Sequence, residues 1–279
     1  MNLHSPLPHD PTNRASGGEA NSLPTVTVPT LGEAHALDWT PDLARSRGIY
    51  GFDSLDPRSR AFNMIRAKLL ELQAARGWRL FGIVSATSNV GKSFIAANVA
   101  AALSRDPRVQ TTAVDLDLRR ASLTNILGIE PQVGIRAYLE GRPGADAPTG
   151  YVPEGERLVV LPTVAGPIRS AELLAGSRAQ ALLRGMRAAG DNSFFIVDLP
   201  PVFANDDAAT TMARLDAYII VVEEGKTTQR EVKDVAALLG TSRLAGVILN
   251  KYRGGLVSEG YGFDSYYAAG YGKADTDSE

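Results

Sequence analysis

Residues Leu80 to Leu103 read LFGIVSATSNVGKSFIAANVAAAL: an apolar run, a polar loop closing on Gly91-Lys92-Ser93, and a stretch rich in small apolar residues. The apolar run predicts a strand and the following stretch a helix over 92–104. A loop of this kind between strand and helix is a phosphate cradle, because free backbone N–H groups and the helix N-terminus both attract anions. Lys92 would reach the β- and γ-phosphates of a nucleotide, and the Ser93 hydroxyl would ligate Mg²⁺. The candidate nucleotide-binding residues are therefore Thr87, Ser88, Asn89, Val90, Gly91, Lys92, Ser93 and Phe94.

Five further β-like runs follow the same logic, at 109–118, 157–163, 194–200, 217–225 and 244–251, with that at 80–86 before them. Helical stretches are expected at 92–104, 170–188, 205–214 and 227–240, and an earlier helix beginning near Asp56-Pro57 has Phe62, Ile65, Leu69 and Leu72 on one face. Near-continuous apolar strands alternating with helices predict an α/β fold: a mostly parallel sheet flanked by helices on both faces, with ligands at the carboxyl ends of the strands. Residues 1–45 carry scattered prolines without periodicity and are expected to be a disordered arm. The folded domain is expected over 46–255, and the Gly- and Tyr-rich segment 256–279 as a flexible tail.

Composition narrows the chemistry. The 279 residues include no Cys, and the three histidines, His4, His9 and His35, all fall within the expected arm. A Ser-His-Asp triad, a thiolate nucleophile and a Cys- or His-ligated metal site are excluded from the expected folded body. Carboxylates, Lys, Arg, hydroxyls and a hard cation remain. A net charge of −2 gives no general attraction to nucleic acid or anionic lipid. No apolar run approaches the ~20 residues needed to span a bilayer, and the N-terminus has no signal-peptide pattern, so a cytoplasmic protein is expected.

Three acids stand at predicted strand ends. Asp115 and Asp117 alternate at the end of the second major strand and should project to one face beside the phosphate loop; Asp198 ends FFIV ahead of Pro200-Pro201. Close carboxylates repel, and a bound Mg²⁺ would remove the conflict. Surface pairing with Arg119 and Arg120 is the plainer alternative, and the residues alone do not separate the roles of the three acids.

Taken together, the Lys92-Ser93 loop, DLDLRR at 115–120, VDLPP at 197–201, IRSAELLAGSR at 168–178 and GVILNK ahead of a tyrosine cluster resemble the bacterial tyrosine kinases of capsule and exopolysaccharide biosynthesis, P-loop NTPases related to MinD and ParA. The resemblance covers about residues 56–272. It implies ATP and Mg²⁺ as cofactors, Lys92, Asp115, Asp117 and Asp198 as catalytic residues, and Ser93, Asp117 and Asp198 at the metal. It implies that Asp115 orients or deprotonates the incoming tyrosine hydroxyl. Asn250 falls where relatives recognise adenine, although a polar strand terminator reads the same way. Tyr261, Tyr266, Tyr267 and Tyr271 would be phospho-acceptors on a neighbouring copy in a homo-oligomer. Each phosphate adds about −1.5 to −2 charge, enough to expel a docked tail.

With no span of its own, the chain would be the split form, recruited to the inner face of the plasma membrane by a polysaccharide co-polymerase that activates it. Two departures from the family pattern stand out. Ser88-Asn89-Val90 replaces Pro-Gly-Glu, where Asn tolerates left-handed backbone better than most residues. Of the oligomerising Glu, Arg and Arg, the first two are replaced by Arg60 and Asn63 and only the third is retained, as Arg66. The competing functions are a ParA- or MinD-like switch ATPase, whose early loop lysine is replaced here by Thr87, and a non-catalytic nucleotide-binding regulator.

Overall fold

The computed structural model describes residues 25–252. Its strands are β1 (His35–Leu37), β2 (Leu80–Val84), β3 (Gln110–Asp115), β4 (Tyr151–Pro153), β5 (Leu158–Leu161), β6 (Ser193–Asp198), β7 (Ala217–Glu223) and β8 (Leu244–Asn250). Its α-helices are α1 (Pro41–Ser46), α2 (Arg60–Arg76), α3 (Lys92–Ser104), α4 (Ser122–Ile126), α5 (Ile135–Glu140), α6 (Ser170–Ala175), α7 (Ser177–Ala188), α8 (Asp207–Met212) and α9 (Gln229–Leu239). One sheet runs β1-β4-β5-β3-β6-β2-β7-β8. Its strand pairs are parallel except β4 with β5.

The six expected strands are all present, and the sheet is covered on both sides. Because strand side chains alternate, each strand feeds two cores. Leu80, Val84, Phe195, Val197, Tyr218 and Ile220 pack toward α5 to α9. Phe81, Ile83, Phe194, Ile196 and Ile219 pack toward α1 to α4. Helix α3 is the most enclosed of the helices: Ile95 to Ser104 are all buried. Its alanines explain how it approaches the central strands so closely.

Three local features differ from expectation. The helix expected over 170–188 is two, α6 and α7, because Gly176 adopts an extended conformation (φ −67°, ψ 165°) between them. The helix expected from Asp56 opens with a 3-10 turn, Pro57–Ser59, in which the Asp56 side chain accepts the Arg58 N–H. The larger difference lies in residues 25–45, assigned above to a disordered arm, which are packed against the body. Strand β1 pairs with β4, Val28, Trp39 and Ala44 are buried, and the Val26 carbonyl lies so close to Gly185 that a β-carbon there would sit 2.0 Å away. The cause is that single apolar anchors and a three-residue strand leave no periodicity to read. His35 thus belongs to the folded body, its ring centroid 5.6 Å from that of Tyr151, at the sheet edge with two strands between it and β3. The expected tail at 256–279 lies outside the described residues.

Candidate active site

The β2–α3 loop opens above the carboxyl ends of β2, β3 and β6, the place an open parallel sheet offers a ligand. Gly91 caps α3 with φ +89° and no side chain caps the helix, so its first-turn N–H groups are available to an anion. A β-carbon at Gly91 would collide with Asn250 Nδ2 at 2.1 Å, which makes glycine obligatory there. Asn89 adopts φ +66°, the left-handed conformation that asparagine accommodates. Three contacts hold the loop: Asn250 Nδ2 donates to the Val90 carbonyl (2.8 Å), Lys251 Nζ to the Asn89 carbonyl (2.6 Å) and Arg120 to Asn89 Oδ1 (3.1 Å). Val90 is buried in the core and contributes backbone, not side chain.

Within the loop's grasp, Lys92 is 6% exposed and donates Nζ to Asp198 Oδ1 and to Ser93 Oγ, the latter at 3.4 Å; Asp117 Oδ2 is 3.9 Å away. Lys92 therefore faces two acids at the place where phosphates would lie. A buried cation and anion are stable there only as partners, since either alone would be strongly destabilising. The other Asp198 oxygen, Oδ2, is buried with no hydrogen-bond partner. Asp198, the Ser93 hydroxyl and Asp117, gathered around the Lys92 ammonium, make an all-oxygen donor set suited to Mg²⁺, which keeps several waters and needs only one or two carboxylates.

Asp115 is placed differently from Asp117. It is fully buried below the cavity wall: Oδ2 accepts from Thr124 N (2.9 Å) and Thr124 Oγ1 (2.7 Å), and Oδ1 accepts from Asp117 N (3.2 Å). Strand β3 ends at Asp115, so the alternation expected to place Asp115 and Asp117 side by side stops there. Among the described residues no three acids or histidines are grouped to surround one cation. Burial, reinforced by Asp198, pushes Asp115 up to about 7 despite its hydrogen bonds with Thr124 and the attraction of Lys92. Burial also raises Asp117, with Lys92 opposing and Asp198 adding to the rise. The surface alternative, in which Arg119 and Arg120 pair with these acids, is not what the side chains do: Arg120 holds Asn89 and Arg119 holds Ser170.

A cavity of about 260 Å³ lies against Asn89, Gly91, Lys92, Ser93, Phe94 and Asp117, with Ser122 and Ile126 at its outer side. An adjoining cleft of about 370 Å³ takes in Thr87, Ser88, Asp117, Arg119, Pro201 and Phe203. Another cavity, of about 260 Å³, lies beneath Val26 and Val28, lined by no charged side chain and far from the loop. The chemistry belongs to the first two, which share Asp117. Sequence reasoning gave no role to Thr124, Ile126, Ser170 or Lys251, which reach the site only through the fold; for the basic pair at 119–120 it offered only surface pairing with the acids, as an alternative. Tyr261, Tyr266, Tyr267 and Tyr271 lie outside the described residues.

Residues 81–261 match the family model for the CobQ/CobB/MinD/ParA nucleotide binding domain. The chain is similar to the succinoglycan biosynthesis transport protein ExoP of Rhizobium meliloti, 34% identical over 204 residues that cover 70% of this chain and 25% of that protein. It is also similar to the tyrosine-protein kinase YwqD of Bacillus subtilis, 28% identical over 194 residues, 69% of this chain and 80% of that one. The kinase domain of the Escherichia coli tyrosine kinase ETK has the same fold, with TM-score 0.66 and 24% identity over 81% of this chain and 88% of that domain. The chain spans only about a quarter of the length of ExoP and of several other curated relatives.

Proposed function

The chain belongs to the CobQ/CobB/MinD/ParA nucleotide-binding domain family, and from that premise we propose that it is an ATP- and Mg²⁺-dependent protein-tyrosine autokinase of the bacterial type. In this reading it phosphorylates Tyr261, Tyr266, Tyr267 and Tyr271 on a neighbouring copy and so regulates the polymerisation or export of an exopolysaccharide. The carrying observation is the buried Lys92 facing Asp198, Asp117 and the Ser93 hydroxyl, with the second Asp198 oxygen unpartnered. The similarity to YwqD, which extends over most of that tyrosine kinase, supports the acceptor chemistry.

The N–H groups ahead of α3 and the Lys92 ammonium bind the phosphates, and Lys92 exchanges its Asp198 partner for them. Ser93, Asp117 and Asp198 would hold Mg²⁺, which when bound neutralises phosphate charge. Asp115 acts from behind the wall: it fixes the Asp117 backbone and Thr124, and in this reading it orients the incoming hydroxyl through them. Positioning and charge neutralisation carry most of such a phosphoryl transfer, so a strong base is not required. In this reading Asn250, which also donates to the Val90 carbonyl, recognises the base. No helix among the described residues is long and apolar enough to cross a membrane; in the proposal a membrane co-polymerase recruits and activates this cytoplasmic partner.

Phosphotyrosine mass spectrometry of the protein purified from its host tests the reading. Lys92→Met and Asp117→Asn, each checked for folding by circular dichroism, should both erase the signal. A wild-type tail without phosphotyrosine in the presence of the membrane partner, or modification that survives both substitutions, overturns it.

A further inference from the structure

The cleft next to the phosphate loop contains an arginine held from behind. Ser170 Oγ accepts from Arg119 Nε (3.0 Å) and donates to Asp207 Oδ2 (2.6 Å), and Asn205 Nδ2 donates to the same oxygen (2.9 Å). Ser170 and Asp207 are buried and Arg119 is exposed, so the guanidinium is fixed through one nitrogen while its two terminal nitrogens have no partner among the described residues. That free edge is the part of arginine that takes a carboxylate.

Part of the cleft's lining is apolar. Pro201 and Phe203, the latter 48% exposed, lie along the cleft, and the backbone N–H groups of Val202 and Phe203 donate to the carbonyls of Ser85 (2.8 Å) and Ala86 (3.2 Å), locking that part to the loop. An aromatic ring on Phe203 would share this cleft with Asp117, which also lines the nucleotide cavity.

The tail sequence supplies a matching pattern. Glu259 stands two residues before Tyr261 and Asp264 two before Tyr266, whereas Ser265 and Ala269 hold that place before Tyr267 and Tyr271. In an extended chain residues i and i+2 share a face, about 6.5–7 Å apart.

We propose that Arg119 determines acceptor specificity by taking the carboxylate two residues before the tyrosine, which selects Tyr261 and Tyr266 over Tyr267 and Tyr271. Ser170 and Asp207 are its positioning residues. The inference rests on the kinase reading above.

Site-resolved phosphotyrosine occupancy, measured at early times on the full chain with its membrane partner, tests it. Tyr261 and Tyr266 should lead by about threefold to fivefold, the scale of one exposed ion pair. Arg119→Ala should level the four sites, and Ser170→Ala should shift the ratio the same way, which a purely structural role would not do. Asp264→Arg should depress Tyr266, and adding Arg119→Glu should restore it while Tyr261 falls. Even occupancy that still depends on Lys92, or a charge swap without recovery, overturns this inference and leaves the kinase reading standing. Absence of Lys92-dependent phosphotyrosine overturns both.

Discussion

Asn89 shows how one residue sets a loop. Its φ of +66° is left-handed, and its side chain carries the hydrogen bond from Arg120. Asn89→Gly should therefore leave the urea midpoint almost unchanged, while Asn89→Val should cost about 1–2 kcal/mol, the penalty of a β-branched residue in that region. Asp115 carries a pH signature. Its folded pKa of about 7 lies above the unfolded value of 3.8, so its contribution to stability is complete below the lower value and lost as pH rises through the higher one. Asp115→Asn removes that dependence. Urea titrations at pH 5 and pH 8 should show the variant gaining on wild type by about 1–3 kcal/mol across that window. The reactive residue types at this site were legible because phosphate chemistry demands them. Thr124 was not, since nothing in its neighbours marks it as the partner of an acid nine positions earlier.

At the scale of elements, α3 is held by the segment before it. Asn98, fully buried in α3, accepts from Tyr50 N (2.7 Å) and Gly51 N (3.0 Å) and donates to Gly48 O and Phe94 O, both at 3.0 Å. A β-carbon on Gly51 would lie 2.2 Å from the Asn98 carbonyl, so strap and helix touch backbone to backbone. Phe94, beside Ser93, sits between the Tyr50 and Phe62 rings. Asn98→Ala leaves two buried donors unpaired and should cost about 2–4 kcal/mol in chemical denaturation. Amide exchange at Tyr50 and Gly51 should accelerate more than in the central strands. The same scale explains what the sequence showed of the fold. The long apolar runs that became β2, β3, β6 and β7 announced themselves, and α3 began and ended where its small-residue stretch did. The break at Gly176 lay inside one continuous helical pattern, and β1 and β4, three residues each, are too short to alternate visibly.

For the whole molecule, the packed segment 25–46 makes the body larger than its periodic elements. Deleting residues 1–46 removes Val28, Trp39 and Ala44 from the core and uncovers β4. From the burial of these side chains the loss should be about 3–6 kcal/mol, measured as the difference in unfolding free energy from the full chain. An unchanged denaturation midpoint would mean that the segment adds nothing to the core. The strand order carries a further consequence, in time. His35–Leu37 leaves the ribosome early, yet its pairing partner Tyr151–Pro153 is made more than a hundred residues later, and β4 itself leans on β5. At about 5–20 residues per second, β1 waits several seconds for the strand it pairs with. The first-made strand among the described residues is thus among the last to be paired.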